Sequence, residues 1–276
     1  MDPEVFRAAS TGDSSFFEKL TDPNGSTLLQ VTMEKNTVLH VALQFKQFDV
    51  AEKIVNLSPK LVYETNSKGN TSLHVAARIG YSSVVKLLID NAKDQRDAET
   101  SGQQQLLSMV NQDGDTALHV AVQYGNFEVV KELIKEKDPA ELAMKVNNAG
   151  ESALFLAVDR EHYKMANYIL NNAPDCSYAG RHGMNVLHAV VLQTTSNYIN
   201  MVDWISQTNY KDLERQASGF VFQRGIVTLM WILSMLFLSP LPESLTHGTL
   251  KHRIRRAHAT FPLGKNIYLK NFLFIC

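Results

Sequence analysis

The chain has 276 residues, of which 45% are hydrophobic and 20% charged, and its formal net charge at pH 7 is −1. This composition is typical of a folded protein. The near-zero net charge excludes the general electrostatic attraction by which strongly basic proteins bind nucleic acid. The charge is uneven, because residues 1–216 hold 20 Lys and Arg against 27 Asp and Glu, whereas residues 217–276 hold 7 against 1. This asymmetry predicts two segments under different constraints.

The cysteines and the first residues indicate the compartment. The two cysteines, Cys176 and Cys276, form no disulfide framework, and the acidic start Met1–Glu4 lacks the apolar core of a signal peptide. We therefore expect a cytoplasmic protein in a reducing environment.

One six-residue phrase recurs along the chain. Thr-x-Leu-His-x-Ala begins at Thr37, Thr71 and Thr116, and weaker copies begin at Ser152 and Asn185. The spacings are 34, 45, 36 and 33 residues. This phrase at a period near 33 is the sequence signature of ankyrin repeats. The chain thus resembles the ankyrin superfamily.

A short unit precedes the first copy of the phrase. Residues 6–12 share the pattern Ala-Ala-x-x-Gly with residues 76–80. We predict that residues 2–22 form an N-terminal capping repeat with a more polar outer face, because terminal units of repeat arrays must face water.

Glycine keeps the same phase as the phrase. Gly69, Gly114, Gly150 and Gly183 each stand two residues before it, among turn-forming residues. Glycine accepts positive φ, so we expect these positions to form tight hairpin tips. Lys35 replaces the glycine in the first full repeat, so the sequence of that tip departs from the pattern.

A second apolar cluster follows each phrase, as in Val84–Leu88 and Val129–Ile134. Its spacing is that of the buried stripe of a helix. Each repeat is thus predicted to be a hairpin tip plus two antiparallel helices, and the fold is an all-α ankyrin-repeat solenoid of five repeats over residues 1–216. The long spacing predicts an insertion at about 91–108, whose polar part, 94–103, is expected to be a surface loop or a helix extension.

A narrower resemblance rests on residues 36–45, 137–143 and 146–152, which look like plant ankyrin proteins of the accelerated-cell-death type. It covers roughly residues 1–216. The resemblance implies a role in plant defence, stress or cell-death signalling. It also implies an ankyrin domain on the cytosolic face of the plasma membrane or endoplasmic reticulum, followed by several membrane-spanning helices.

The pattern stops after Gly219. Residues 217–276 form an atypical basic tail with an apolar segment at 220–238, and the family's multi-helix membrane region is missing from it. The tail is either an alternative or out-of-frame C-terminus or a diverged capping segment. Its charge-free stretch, 226–238, would span about 20 Å as a helix, short of the ~30 Å of a bilayer core. Membrane contact through 220–238 stays open, although the basic residues beyond it argue against spanning.

Nine histidines invite a metal interpretation. His40, His74, His119 and His188 share one repeat position, which Phe155 occupies in the fourth repeat. Since phenylalanine binds no metal, we expect these histidines to bond turn backbone and join successive repeats. No phosphate-binding, zinc or nucleophile motif is present, so we expect no enzyme, no metal and no cofactor.

The most informative surface lies at the end of each first helix, where ankyrin arrays turn two residues toward their concave side. Phe45, Ile79 and Tyr124 fall there on successive repeats, and aromatic side chains are frequent binding anchors. They either bind a partner or pack on neighbouring tips. The pairs are Gln44–Phe45, Arg78–Ile79, Gln123–Tyr124, Asp159–Arg160 and Leu192–Gln193.

These features together predict a non-enzymatic scaffold that binds protein partners and no nucleic acid. Two alternatives remain at this stage. One is a membrane-associated ankyrin protein anchored by the apolar segment at 220–238, and the other is a truncated product without an independent role.

Overall fold

The computed structural model describes residues 1–20, 26–94, 96–97, 100–135, 139–186 and 189. All of them belong to one compact unit, Met1–Val221. The predicted boundary at 216/217, the segment 220–238 and the basic tail lie outside the described residues and remain predictions.

The described part of the chain is built almost entirely from short helices. Two 3-10 helices, Pro59–Val62 and Arg181–Gly183, and two antiparallel two-residue strands, β1 Arg96–Asp97 and β2 Thr100–Ser101, complete it. The α-helices are α1 Pro3–Thr11, α2 Ser14–Glu18, α3 Val38–Gln44, α4 Phe48–Leu57, α5 Ser72–Ile79, α6 Ser82–Asp94, α7 Gly102–Ser108, α8 Ala117–Gln123, α9 Phe127–Ile134, α10 Pro139–Met144, α11 Ala153–Asp159 and α12 Tyr163–Asn172.

The helices pack in two layers, as the repeat pattern predicts. The first helix of each unit contacts the next first helix, through α1, α3, α5, α8 and α11, and the second helices do the same through α2, α4, α6, α9 and α12. The leucine of the repeated phrase is fully buried in every described copy: Leu39, Leu73, Leu118 and Leu154. An apolar layer between the two rows of helices therefore runs the length of the array. The fold is the predicted all-α solenoid.

Two features shape the second, third and fourth hairpin tips, an asparagine side chain that accepts two backbone hydrogen bonds and a glycine with positive φ. In the second tip, the Asn66 side chain accepts hydrogen bonds from the amides of Lys68 and Asn70, at 3.0 and 3.1 Å. Asn111 and Asn147 make the same pairs in the next two tips. The glycine that follows takes positive φ, near 75°, at Gly69, Gly114 and Gly150.

The first tip keeps the left-handed backbone conformation although Lys35 stands in place of glycine, and the Thr32 hydroxyl, in place of an asparagine side chain, accepts from the Asn36 amide at 3.1 Å. Lys35 itself adopts a φ of 56°. Its amide donates to the Thr32 carbonyl at 2.9 Å, as the Gly69 amide does to Asn66. The tip is thus kept at the cost of a left-handed conformation that L-residues disfavour. The fifth tip is the one that differs, since both His182 and Gly183 have positive φ there.

Neighbouring tips are joined by backbone hydrogen bonds. The amides of Ser67, Gln112 and Asn148 each donate to a carbonyl of the preceding tip, at 2.8 to 3.0 Å. These bonds hold the first four tips in a fixed register along one edge of the array.

The insertion differs from its prediction in part. Helix α6 does continue to Asp94, as one alternative had it, but β1, β2 and α7 follow instead of a loop. Leu106 of α7 is buried, and α7 packs against α6. Leu61 of the first 3-10 helix and Leu142 of α10 are buried as well. A short third helix therefore closes each of the first three repeats, and α7 begins where the polar part of the insertion, 94–103, ends.

Candidate functional site

The repeated Thr-x-x-His unit forms a reciprocal cap at the start of the first helix in three repeats. In α3, the His40 amide donates to the Thr37 hydroxyl at 3.4 Å, and the Thr37 amide donates to His40 Nδ1 at 3.3 Å. Thr71 with His74 and Thr116 with His119 repeat this arrangement. Two backbone amides of the helix start are thereby satisfied.

The other ring nitrogen reaches the next repeat. Nε2 of His40, His74 and His119 lies 2.8, 2.9 and 3.1 Å from the carbonyls of Asn70, Asp115 and Glu151. A carbonyl only accepts, so Nε2 carries the proton in each histidine. Burial lowers the pKa of all three, and that of His74 falls to about 4. His188 lies outside the described residues.

Phe155 takes the histidine position in the fourth repeat and keeps half of the cap. The Ser152 hydroxyl accepts from the Phe155 amide at 3.1 Å. The ring is buried against Gly180, where an added Cβ would overlap it, and the Arg181 guanidinium lies 5.6 Å from its centroid. An apolar contact thus replaces the histidine bond between these two repeats.

A ladder of side-chain hydrogen bonds runs between the last residue of each tip and the next tip. Asn66 and Asn111 donate to the Asn36 and Asn70 side chains at 2.9 and 3.2 Å. The ladder then becomes charged. Asn147 donates to Asp115 at 2.9 Å, and Arg181 pairs with Glu151 at 3.0 Å and with Asp159 at 2.7 Å.

The ends of the first helices are tied to the same hairpins. Gln44 donates to Asn36 at 3.4 Å, and Gln123 donates to Asp115 at 2.9 Å. These bonds make the hairpins and the ends of the first helices one continuous surface. We call it the hairpin–helix surface, formed by residues 31–36, 65–70, 110–115 and 146–151 and by the pairs 44–45, 78–79, 123–124 and 159–160.

The predicted binding residues differ in exposure. Phe45 and Tyr124 are 50% and 58% exposed, and Gln44, Arg78 and Arg160 are exposed as well. Gln123 and Asp159 are half-buried. Ile79 is also half-buried, because it belongs to the last turn of α5, whereas Phe45 and Tyr124 follow the ends of α3 and α8. Leu192 and Gln193 lie outside the described residues.

Phe45 also has an aromatic neighbour. Its ring contacts Phe6 of the cap helix edge-to-face, with centroids 6.0 Å apart. Phe45 thus packs in part on the neighbouring unit, on a residue of helix α1 and not on a tip. Half of the Phe45 side chain stays open to a binding partner.

The sequence reasoning missed a second exposed row on the hairpins. Val31, Val110 and Val146, each directly before the first residue of a tip, are 41%, 48% and 45% exposed. Met33, within the first tip, is 99% exposed. A valine at this same position in three repeats was the available signal. Together with Phe45 and Tyr124, these residues form a substantial apolar part of the hairpin–helix surface.

A metal site, a reactive thiol and a membrane-spanning helix each place their own requirements on the described residues. No cluster of three or more histidine, cysteine or carboxylate side chains there is arranged to hold a metal ion. Cys176 is fully buried, and burial raises the pKa of its thiol to about 12. In the same part of the chain, no helix has both the length and the apolar character needed to cross a bilayer.

Known proteins share this architecture. The chain is 30% identical over 222 residues to Protein ACCELERATED CELL DEATH 6 from Arabidopsis thaliana, which is 80% of this chain and 28% of that protein. It is 29% identical over 92 residues to a Caenorhabditis elegans homolog of transient receptor potential cation channel subfamily A member 1, which is 33% of this chain and 8% of that protein. The chain thus spans less than a third of the length of these relatives.

The fold and the family are shown by two further matches. The crystal structure of the ankyrin repeat protein EF0377 superposes with a TM-score of 0.58, covering 74% of this chain and 97% of that one at 18% identity. A family model described as ankyrin repeats (3 copies) matches residues 5–99 and 100–179, which is more than half of the chain. The chain therefore belongs to the ankyrin-repeat family.

Proposed function

We propose that this protein is a non-enzymatic scaffold in the cytoplasm that binds a partner protein through the hairpin–helix surface. One observation carries the proposal. Phe45 and Tyr124 occupy the same repeat position and are both at least half exposed, at the edge of a row of exposed valines. Exposed aromatic groups beside well-packed backbone are the usual anchors of protein interfaces.

The rigidity of the surface also supports the proposal. Backbone bonds between tips and side-chain bonds from the first helices to the hairpins fix the relative positions of the exposed groups. A surface that is already ordered loses little conformational entropy on binding. The function is therefore presentation of a long preformed surface, without bond chemistry.

Affinity capture with matched variants tests the assignment. The full chain and the variants Phe45→Ala and Tyr124→Ala are used as bait in an extract of the source tissue, and captured proteins are quantified by mass spectrometry. We expect a partner whose recovery falls at least fivefold with each variant. Truncating an interface anchor typically weakens binding by roughly 2 kcal/mol or more.

Leu57→Ala is the control, because Leu57 is 52% exposed on the second-helix layer, at the end of α4. It removes a similar apolar area from a different face. If Leu57→Ala lowers recovery of the partner as much as the aromatic variants do, the partner binds elsewhere. The same follows if neither aromatic variant lowers its recovery.

The pathway is a finer part of the proposal. We infer a role in plant defence, stress or cell-death signalling from the similarity of residues in the ankyrin region to Protein ACCELERATED CELL DEATH 6. Loss of the gene for this chain in its source organism should then alter lesion formation after pathogen challenge. Unchanged lesions would separate this protein from that pathway and leave the scaffold assignment intact.

Association with a membrane through 220–238 is the second candidate, at the cytosolic face of the plasma membrane or endoplasmic reticulum. It is favoured by the 13 residues without charge at 226–238. Fractionation distinguishes the two candidates, since a protein that pellets with membranes and resists carbonate extraction is anchored, whereas the scaffold alone stays in the supernatant.

A further inference from the structure

Charged groups are distributed unequally along the hairpin–helix surface. Over the first two repeats, Lys35, Lys68 and Arg78 stand against Glu34, a balance of +2. Over the third and fourth repeats the balance is −3, and the residues concerned are Asp113, Asp115, Glu151 and Asp159 against Arg160. The surface therefore has a basic half and an acidic half.

The acidic half has the stronger local field. Asp115 and Glu151 are only 4% and 7% exposed, and charges removed from water are screened less by salt than exposed ones. Arg181 neutralises part of Glu151 and Asp159. The Asp115 carboxylate accepts instead from two neutral amides, Gln123 and Asn147. These two bonds to Asp115 thus bring no cation beside it, and exposed Asp113 adds a second acidic side chain on the same hairpin.

Apolar groups accompany the charges throughout. Val31 and Phe45 are exposed in the basic half, and Val110, Tyr124 and Val146 are exposed in the acidic half. An occupant that matches the whole surface needs apolar side chains along its length and opposite charges at its two ends.

We propose that the hairpin–helix surface binds an extended segment of a partner protein, with acidic residues over the first two repeats and basic residues over the third and fourth. This rests on the proposed scaffold function and specifies its partner. Helices of adjacent repeats pack about 10 Å apart, so the centres of the two halves, which are two repeats apart, lie about 20 Å from each other. An extended chain covers about 3.3 Å per residue, which places the acidic and basic groups of the segment roughly six residues apart.

Selection from a display library of random 16-residue peptides on the immobilised full chain tests the proposal. We expect enriched peptides to carry an acidic group and a basic group roughly six residues apart, with apolar residues between them. Reversing one half should change one preference only. The double variant Lys35→Glu, Lys68→Glu should abolish selection for the acidic end, and Asp113→Lys should abolish selection for the basic end.

Direct titration measures how much each charge reversal weakens peptide binding. A peptide selected on the unaltered chain should bind each charge-reversal variant about tenfold more weakly at 50 mM salt and less than threefold more weakly at 500 mM, because exposed pairs are screened. Lys86→Glu, an exposed charge on α6 in the other helix layer, is the matched control and should leave affinity unchanged. Circular dichroism verifies that every variant is folded.

The outcomes separate the two levels of the proposal. Enriched peptides without a charge order, or an order that the variants do not alter, contradict the charge assignment and leave the scaffold function standing. Failure to enrich any peptide contradicts binding of an extended segment by this surface and leaves the scaffold function, which the affinity capture tests, standing. A concentration-dependent dimer that both charge reversals dissociate would overturn the partner assignment, because the occupant would be a second copy of this chain.

Discussion

Replacing His74 with glutamine should make the protein less sensitive to acid. Burial lowers the pKa of His74 to about 4 in the folded protein, against roughly 6.5 in an unfolded chain. The folded state therefore binds fewer protons than the unfolded state between these values. The stability that neutral His74 confers is complete above about pH 7, declines as the pH falls through 6.5, and declines no further below about pH 4.

The magnitude follows from the two pKa values. At pH 5 an unfolded histidine is almost fully protonated and His74 in the folded state is about one-tenth protonated. At ~1.4 kcal/mol per pH unit, the loss from His74 alone between pH 7.5 and pH 5 is about 2 kcal/mol. Total stabilities of domains are only about 5–15 kcal/mol, so this loss is large enough to measure.

Glutamine is the suitable replacement because it titrates at no pH and can fill both roles of the ring. It is a natural capping-box residue at this helix position, so its carbonyl can accept from the Thr71 amide. Its amide group is then free to donate to the Asp115 carbonyl, as His74 Nε2 does at 2.9 Å. Any fixed cost of the substitution is the same at both pH values and cancels in the comparison.

Urea unfolding of the full chain, followed by circular dichroism at pH 7.5 and pH 5, measures the effect. His74→Gln should lose about 2 kcal/mol less than the unaltered chain over this interval. Thr71→Ser, which keeps the hydroxyl cap and His74, should lose as much as the unaltered chain. Equal losses for His74→Gln and the unaltered chain would refute the reasoning that buried neutral His74 is linked to acid stability.

Three further predictions concern other features of the fold. Gly114→Ala should lower the free energy of unfolding by about 1–2 kcal/mol in urea titrations, because Gly114 has a φ of 75° and a Cβ there would crowd the Asn148 amide. Lys35→Gly should raise it, and a loss would show that the Lys35 side chain stabilises the tip. In a Cys276→Ser variant, Cys176 should react with Ellman's reagent only in urea, since its pKa is raised to about 12; rapid reaction in native buffer would contradict its burial.

The repeat unit could be predicted from the sequence because its determinants are local. Threonine and histidine three residues apart form a cap within one helical turn, and the side-chain oxygen of an asparagine such as Asn66 accepts from the amide four residues later in its own tip. Such interactions depend on little else in the chain, so their spacing carries over to the structure.

Features that depend on neighbouring repeats were harder to predict. From residue type alone, Val110 and Val146 would be predicted to lie in the core. Their exposure depends on how adjacent hairpins pack. Helix α7 forms because Leu106 finds a buried site against α6. The left-handed φ of Lys35 is imposed by the tip bonds around it, which outweigh its own preference.

The histidine bonds also imply an order in which the repeats complete their folding. His40 finds its carbonyl 30 residues later, His74 finds one 41 residues later, and His119 finds one 32 residues later. During synthesis from the N-terminus, the Nε2 donor of each of these histidines lacks its carbonyl partner until the next repeat has emerged and folded. We therefore expect each of these repeats to complete its hydrogen bonds only after the next repeat has folded. In the fourth repeat the dependency is apolar instead, because the Phe155 ring is covered only when Gly180 has emerged.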